Sequence, residues 1–331
     1  MNLEIKRNEI LAKHCSFRIG GPAKFFVAVK SREQLRETLN FVKEKNLAFF
    51  VLGGGSNVLF KDEGYNGLII KILNTKCQIK GSKIVIGAGK VFSQLIKQSI
   101  KEGLIGLEWG TGIPGTVGGA IACNCGAYGH SFSEFVISVS TIDKEGNIKK
   151  YLNKDCGFDY RSSRFKRNQT QEIIWEAELK LKKGNQEESE KIAKEILARR
   201  QERIPSLPSA GSIFKNIVID KLENREKISA GYLIEQCGLK GKQIGGAQIS
   251  EKHANFIVNL GQAKAKEVKE LMNLIKERVK EKFGLDLEKE IVLVPRGGIE
   301  PPTPSSSGKR STTELPRQGI YLFQRKSDLN F

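Results

Sequence analysis

The 331-residue chain has little of what metal sites and nucleophile sites usually require. It has three histidines, and its six cysteines, at positions 15, 77, 123, 125, 156 and 237, form no Cys-x-x-Cys pair, so no metal site is expected. It also has no Walker A lysine and no G-x-S-x-G elbow, so neither a nucleoside triphosphate site nor a serine hydrolase is indicated. The first residues carry charges where a signal peptide has its apolar run, and we expect a cytoplasmic protein with reduced thiols.

The composition is that of a folded protein with a basic surface. Apolar residues make up 39% and charged residues 28%, which excludes a wholly disordered or collagen-like chain, and the length suggests about two domains. The net charge of +18 favours anionic partners. Because the basic residues are spread among glutamates and are not interleaved with aromatics, we expect anionic small molecules and no nucleic acid.

Residues 109–133 contain no Lys, Arg, Asp or Glu. A stretch of that length is sufficient to span a bilayer. It also contains seven glycines and a proline, which would make a poor lipid-facing helix. We therefore expect buried, tightly turning backbone and no membrane span.

The pattern along the chain predicts an organisation in four parts. Alternating strand and helix signals fill a first domain over residues 18–184, after an N-terminal segment of residues 1–17. Within it, residues 24–29 read as a strand, Ser31 to Gln34 as a capping box, and residues 135–152 as a hairpin. A second domain follows over residues 185–294.

The second domain and the C-terminal end have distinct patterns. A long helix with one apolar stripe is predicted over residues 263–283, and residues 290–294 are predicted to close the second domain as a strand. Residues 295–331 hold five of the nine prolines and show no apolar periodicity, so we expect a disordered appended tail.

Gly110-Thr-Gly-Ile-Pro-Gly115 matches the dinucleotide fingerprint G-x-G-x-x-G as a string. The fingerprint needs a strand before it and a helix after it. Here a helix precedes it, and the segment from Pro114 to Gly119 is expected to open no helix. A Rossmann site is therefore not expected.

Three other glycine-dense, charge-poor turns lie at residues 53–57, 115–120 and 124–129. Such turns present several backbone N–H groups to a pyrophosphate, and glycine allows a ligand to approach the backbone closely. Any one of them is explained equally well as a structural turn. Three in one domain favour a large flat cofactor.

Three side chains are candidates for chemistry, and the residues alone leave their roles open. Ser212 is either a proton donor or a turn residue, and Arg161 is either a bidentate carboxylate ligand or part of a solvated basic turn. Glu290 alternates with apolar neighbours, as an exposed strand residue also does.

Seven motifs, in order over about residues 10–294, resemble the UDP-N-acetylenolpyruvoylglucosamine reductase family of bacterial cell-wall synthesis. The motifs are SFRIGGPAK from Ser16, LGGGSNVL from Leu52, GIPGTVGGA from Gly112, NCGAYG from Asn124, Tyr160-Arg161, GSIFKN from Gly211 and HANFIV from His253. Each motif is weak alone, whereas seven in the family's order are specific.

The resemblance implies an α+β (mixed α/β) protein. The first domain would be an FAD-binding domain of the vanillyl-alcohol-oxidase/p-cresol-methylhydroxylase type, followed by a small α/β substrate-binding domain. NADPH would reduce noncovalently bound FAD, which would pass a hydride to UDP-N-acetylglucosamine enolpyruvate and give UDP-N-acetylmuramate. Arg161 and Glu290 would stabilise charge on the enolpyruvyl carboxylate side, and Ser212 would protonate the resulting carbanion.

The resemblance also implies the remaining site residues. Those expected to bind the cofactor lie in the glycine turns, namely Gly53, Gly54, Gly55, Ser56, Asn57, Gly115, Thr116, Gly118, Gly119, Asn124, Ala127 and Gly129. Those expected to bind the substrate are Lys215, Asn216 and Asn255. No tyrosine lies between Phe165 and Ser209, so the chain resembles the shorter type of the family, without the tyrosine-bearing loop that closes over the nucleotide. We expect a monomer.

Two other functions are weighed beside this one. The first is a flavin oxidase of the same superfamily, which would use oxygen as the acceptor. The second, motivated by the charge of +18, is a nucleotide- or nucleic-acid-binding protein without a redox role.

Overall fold

The computed structural model describes residues 3–167, 172–220 and 225–297. The predicted tail therefore lies outside the described residues from position 298 onward. No helix in these ranges is long and apolar enough to cross a membrane.

The first sheet has four strands and contains the N-terminal region. In spatial order its strands are β1 (Ile5–Ile10), β2 (Pro22–Val29), β5 (Tyr65–Ile72) and β3 (Phe49–Leu52). β1 runs antiparallel to β2, whereas β2 and β3 both run parallel to β5. Helix α1 (Arg32–Glu44) connects β2 to β3. Half of the predicted capping box is present: the Ser31 side chain accepts a hydrogen bond from the Gln34 backbone N–H at 3.2 Å, whereas the Gln34 side chain accepts from the Lys30 N–H and not from that of Ser31.

The second sheet has five strands, each antiparallel to its neighbours. In spatial order they are β12 (Ile148–Leu152), β11 (Val136–Asp143), β13 (Glu172–Lys180), β7 (Lys83–Gly87) and β6 (Cys77–Lys80). The predicted hairpin is present as β11 and β12. Its turn is closed by the Asp143 carboxylate, which accepts a hydrogen bond from the Asn147 backbone N–H at 2.8 Å.

Shorter elements connect the two sheets to the C-terminal half. The helices are α2 (Phe92–Lys101), α3 (Val117–Cys123), α4 (Arg164–Arg167) and α5 (Gln186–Arg203). The short strand pairs are β8 (Leu104–Ile105) with β14 (Lys182–Lys183), and β9 (Gly126–Ala127) with β10 (His130–Ser131).

The C-terminal half contains a third, antiparallel sheet. Its strands, in spatial order, are β15 (Ser209–Ser212), β20 (Phe256–Asn259), β19 (Ala247–Ile249) and β18 (Gln243–Ile244). A separate hairpin and two helices complete this half: β16 (Ile217–Asp220), β17 (Arg225–Ile228), α6 (Ala230–Gln236) and α7 (Ala265–Phe283). The predicted stripe of α7 is buried at Val268, Leu271, Ile275 and Val279.

The strand predicted over residues 290–294 is present in shortened form, but it pairs with the first half of the chain and not within the second domain. Strand β21 (Val292–Val294) pairs in parallel with β4 (Val58–Phe60), which follows the first glycine turn. Both strands have three residues, too few for an alternating pattern to reveal the partner. The end of the described chain therefore returns to the first half.

The expectation that the segment from Pro114 to Gly119 opens no helix is wrong. Helix α3 begins at Val117, and the Thr116 side chain caps it by accepting from the Gly119 N–H at 3.5 Å. Glycines at positions 118 and 119 disfavour a helix locally, whereas packing on β7 and β13 stabilises it. A 3₁₀ turn, Glu108–Gly110, lies where a Rossmann fold needs a strand, so the Rossmann exclusion still holds.

Two buried clusters hold the molecule together. One lies between the first two sheets, and the other joins Leu11, Phe17 and Leu59 of the first half to Phe214 and Leu271 of the second. Asp62 adds a polar link, since its carboxylate accepts from the backbone N–H of Ala265 at 2.8 Å at the start of α7. The domain division at residues 184 and 185 stays a prediction, because packing crosses it.

Asn255 fixes the backbone that follows Ser212. Its side chain is buried; Nδ2 donates to the Phe214 carbonyl at 2.8 Å, and Oδ1 accepts from the Phe214 N–H at 3.0 Å. Its own carbonyl accepts from the Ile213 N–H at 2.9 Å. Both hydrogen-bonding groups of the buried Phe214 backbone therefore depend on one side chain.

We predict that Asn255→Ala lowers the free energy of unfolding by about 2–4 kcal/mol, because it leaves two buried backbone groups without partners. Urea denaturation followed by far-UV circular dichroism measures the change. Asn40→Ala, at an exposed position of α1, is the control and is expected to change stability by less than about 0.5 kcal/mol. Equal midpoints for Asn255→Ala and the unchanged protein would contradict this role.

Candidate active site

A cavity of about 960 Å³ lies where the first half meets the C-terminal half. Its lining comes from both early glycine turns, from the segment that carries Arg161, and from the end of α5 with the loop into β15. Ser212 and Glu290 complete the lining. A cavity built from distant chain segments is typical of a ligand site.

The first two glycine turns pack directly against each other. A Cβ on Gly54 would lie 2.6 Å from the Gly115 Cα, and one on Gly53 would lie 2.6 Å from the Thr116 Oγ1. Ser56 ties the turns together by donating from its hydroxyl to the Pro114 carbonyl at 3.1 Å. Glycine is required at positions 53 and 54 because any side chain would separate the two turns.

The first turn suits a cofactor diphosphate. In the described part of the chain, the backbone N–H groups of Gly53, Gly54 and Gly55 donate to no protein acceptor, although all three residues line the cavity. Adjacent free N–H groups in a tight turn form an anion-binding concavity. The apolar side chains beyond it, including Phe50, Ile72 and Ile174, suit a flat ring system. The residues present therefore fit FAD.

Arg161 lies in a tight turn with an uncommon backbone conformation. Asp159 and Ser162 exchange both backbone hydrogen bonds across the turn, at 3.0 and 3.1 Å, and Arg161 has a φ of +53°. Arginine rarely adopts this left-handed region, which costs conformational energy and is often found at functional sites. Two side chains hold the turn: Asn124 donates to the Asp159 carbonyl at 3.0 Å, and Lys166 donates to the Arg161 carbonyl at 3.1 Å.

Glu290 is positioned by backbone contacts on both sides. Its N–H donates to the Ile213 carbonyl at 2.8 Å, and its carbonyl accepts from Asn57 Nδ2 at 3.2 Å. The first contact ties Glu290 to the strand of Ser212, and the second ties it to the first glycine turn. A shift of Glu290 would therefore disturb both.

Arg161 and Glu290 form an ion pair in the cavity. Arg161 Nε lies 2.9 Å from Glu290 Oε1, and the two side chains are 22% and 18% exposed. The pair is electrostatic rather than a well-aligned hydrogen bond, since Nε has no aligned acceptor among the described residues. Burial raises the pKa of Glu290, and the neighbouring Arg161 charge acts against that rise.

Ser212 is presented to the cavity by an irregularity in β15. Ser209 pairs with Val258 and Ser212 with Phe256, so β15 has one residue more than its partner over this interval. Gly211 provides the left-handed backbone at the bulge, with a φ of +77°. The bulge ends β15 with Ser212 at the cavity wall.

The structure brings most, but not all, of the predicted site residues to one cavity. Those that line it are Gly53, Gly54, Gly55, Ser56, Asn57, Gly115, Thr116, Gly118, Gly119, Arg161, Ser212 and Glu290. Six other predicted site residues do not line the cavity, namely Asn124, Ala127, Gly129, Lys215, Asn216 and Asn255.

Four of the residues outside the lining have side chains with polar partners in the protein. Asn216 Oδ1 accepts a hydrogen bond from the Ala230 N–H at 3.1 Å. Asn124 bonds the turn of Arg161, and Asn255 bonds the Phe214 backbone. Lys215 forms an ion pair with Glu288 at 2.6 Å. Asn124 and Asn255 therefore support the segments that carry Arg161 and Ser212.

Sequence reasoning missed Arg200, which lines the cavity from the last turn of α5. The charged helix gave no reason to single out one arginine. A signal was available, because Ser189 and Ile196 are buried and Arg200 continues the same helical face. Gly112, which has a φ of +81°, leaves space for it, since a Cβ there would lie 2.8 Å from Arg200 Cδ.

Cys125 is a second lining residue that sequence reasoning did not assign. Burial raises the pKa of its thiol to about 12, so the side chain is neutral. It adds no negative charge beside Arg161 and Arg200. The cavity thus combines an anion-binding turn, a guanidinium held by a carboxylate, and a hydroxyl, which suits binding of a carboxylate and transfer of a proton.

Two domain families match the chain. A family described as "FAD binding domain" matches residues 23–151, and one described as "UDP-N-acetylenolpyruvoylglucosamine reductase, C-terminal domain" matches residues 201–294. The cavity is lined from both matched regions.

Relatives that match over most of their length belong to the same enzyme family. The chain is 40% identical over 294 residues to the UDP-N-acetylenolpyruvoylglucosamine reductase of Clostridioides difficile (strain 630), covering 88% of this chain and 93% of that protein. It is 41% identical to the enzyme so named from Carboxydothermus hydrogenoformans, covering 87% and 93%.

A solved structure extends the similarity to three dimensions. The crystal structure of UDP-N-acetylenolpyruvylglucosamine reductase from Thermus caldophilus superposes with a TM-score of 0.74 at 34% identity, covering 89% of this chain and all of that one. Together with the match to the FAD-binding domain family, this similarity confirms the predicted fold class.

Proposed function

Because this chain belongs to the UDP-N-acetylenolpyruvoylglucosamine reductase family, we propose that Arg161, Glu290 and Ser212 form its reaction centre. The chain is an FAD-dependent oxidoreductase that uses NADPH to reduce UDP-N-acetylglucosamine enolpyruvate to UDP-N-acetylmuramate, a peptidoglycan precursor. The family membership therefore confirms the predicted reductase and not the two alternatives, the flavin oxidase and the non-redox binding protein. The chemistry that FAD supplies when bound is hydride transfer from NADPH to the enolpyruvyl double bond.

One observation carries the assignment of the three residues. Arg161, Ser212 and Glu290 come from three distant segments and line one cavity, which also contains the first glycine turn, whose N–H groups have no acceptor among the described residues. The Arg161–Glu290 distance of 2.9 Å makes two of them a unit. A structural ion pair would not need to face a cofactor-sized cavity.

Arg161 binds and orients the substrate carboxylate in this proposal. Addition of a hydride to the enolpyruvyl double bond moves negative charge toward the carboxylate, so a fixed guanidinium stabilises the transition state more than the ground state. Glu290 holds the guanidinium in place from one side. The turn between Asp159 and Ser162 holds its backbone.

Ser212 donates the proton in this proposal. The reaction adds one hydride and one proton across the double bond, and the proton goes to the carbon that carries the developing negative charge. A hydroxyl is a weak acid, so it donates efficiently only to a strongly basic carbanion at short range. The bulge of β15 and the buried Asn255 contact to Phe214 keep the Ser212 backbone in place.

We also propose that the protein acts as a cytoplasmic monomer. The six cysteines are all free thiols, as expected in a reducing compartment. A solution mass of two chains by light scattering would contradict the monomer.

We predict that Ser212→Ala slows reoxidation of the reduced flavin by UDP-N-acetylglucosamine enolpyruvate by roughly 100-fold or more, because the proton donor is lost. Flavin reduction by NADPH is expected to stay within about twofold. Anaerobic stopped-flow absorbance measures both steps separately.

Ser206→Ala is the control for this substitution, because Ser206 is an exposed hydroxyl on the wall of the same cavity. It is expected to leave both rates unchanged. Unchanged reoxidation in Ser212→Ala would remove Ser212 from the mechanism.

A further inference from the structure

Arg200 is a positively charged side chain without a negatively charged partner in the described part of the chain. Its guanidinium forms no ion pair there, and its buried Nε has no hydrogen-bond acceptor. The ring centre of Tyr128 lies 5.6 Å from the guanidinium carbon of Arg200. Partial burial of an unpaired charge is costly unless an anion completes the site.

The neighbouring groups leave one positive charge uncompensated. Arg161 is already paired with Glu290, so that pair carries no net charge. Cys125 is a neutral thiol and contributes no charge. A Cβ on Gly126 would lie 3.3 Å from Arg161 Nη1, and the Arg200 guanidinium carbon lies over the ring of Tyr128, so both guanidinium groups border the segment of residues 126–128. Burial lowers the pKa of Arg200, and the nearby Arg161 charge lowers it further.

We propose that Arg200 is the second cation for the enolpyruvyl carboxylate, and that it supplies the net positive charge that the Arg161–Glu290 pair lacks. This inference rests on the proposed function of Arg161. A carboxylate between two guanidinium groups gains an ionic contact that Glu290 does not neutralise. The same contact strengthens as charge moves onto the carboxylate during the reaction.

The UDP diphosphate is the alternative anion for Arg200. The shared position beside residues 126–128 favours the carboxylate, because Arg161 is the residue proposed to bind the reacting end of the substrate. The two anions can be separated experimentally. UDP-N-acetylglucosamine retains the diphosphate and lacks the enolpyruvyl carboxylate.

The test is titration of the oxidised holoprotein with each nucleotide by isothermal calorimetry. We expect Arg200→Met to weaken binding of UDP-N-acetylglucosamine enolpyruvate at least about tenfold, the effect of losing one charged hydrogen bond. Binding of UDP-N-acetylglucosamine is expected to stay within about twofold. Arg199→Met is the matched control. Arg199 precedes Arg200 on α5 and its side chain is 61% exposed, so this substitution should change the affinity for neither nucleotide.

Equal weakening of both nucleotides would assign Arg200 to the diphosphate and overturn the proposal. Unchanged binding of the enolpyruvate would overturn it as well. If Arg200→Met does not retain FAD, Arg200→Lys replaces it. The lysine variant keeps the charge without the planar fork, and it should retain part of the preference for the enolpyruvate. The proposal would also be contradicted if Arg200→Lys kept the full ratio of the two affinities, or if it weakened the binding of both nucleotides equally.

The unchanged protein separates this proposal from the proposed function. If it does not bind the enolpyruvate more tightly than UDP-N-acetylglucosamine, the carboxylate site at Arg161 fails together with Arg200. If it does, and Arg200→Met keeps the same ratio of affinities, only the role of Arg200 fails.

Discussion

The parallel pairing of β21 with β4 is the constraint on which the active site depends. It joins Val292 to Val58, so the end of the described chain lies against the segment that follows the first glycine turn. The Asn57 side chain continues the contact by donating to the Glu290 carbonyl. Glu290 is thereby carried to Arg161 and to the strand of Ser212. The Glu290 N–H also donates to the Ile213 carbonyl, so the pairing of β21 with β4 ties both Glu290 and the strand of Ser212 to the first glycine turn.

The glycine turns show how much of the site a sequence can reveal. Three glycine-dense turns without charged residues predicted that the backbone approaches a cofactor. The first two turns do line the cavity, and among the described residues the N–H groups of residues 53–55 in the first turn have no acceptor. The ordered motifs indicated Arg161, Ser212 and Glu290 through family resemblance, while the residues alone left their roles open. Local periodicity also predicted the capped start of α1 and the buried stripe of α7.

The parts that sequence reasoning missed depend on long-range contacts. β4 and β21 are too short to show a pattern, and their partner is more than two hundred residues away. Helix α3 forms despite two glycines because Thr116 caps it and the second sheet supports it. In the sequence, Arg200 is one of many charged residues of a helix that is predicted to face solvent. In the structure it lines the cavity. For Asn255 the resemblance implied a substrate contact, which stays a prediction, and the structure adds a structural role through the bonds of its amide to the Phe214 backbone.

The most direct test of the account is the visible spectrum of the purified protein under anaerobic conditions, with NADPH added first and UDP-N-acetylglucosamine enolpyruvate second. An FAD-dependent reductase with this substrate should be a yellow protein that NADPH bleaches and that recovers its colour when the sugar nucleotide is added. Recovery with oxygen but not with the sugar nucleotide would contradict the reductase and favour an oxidase. A protein that stays colourless after incubation with FAD would contradict the flavin site itself.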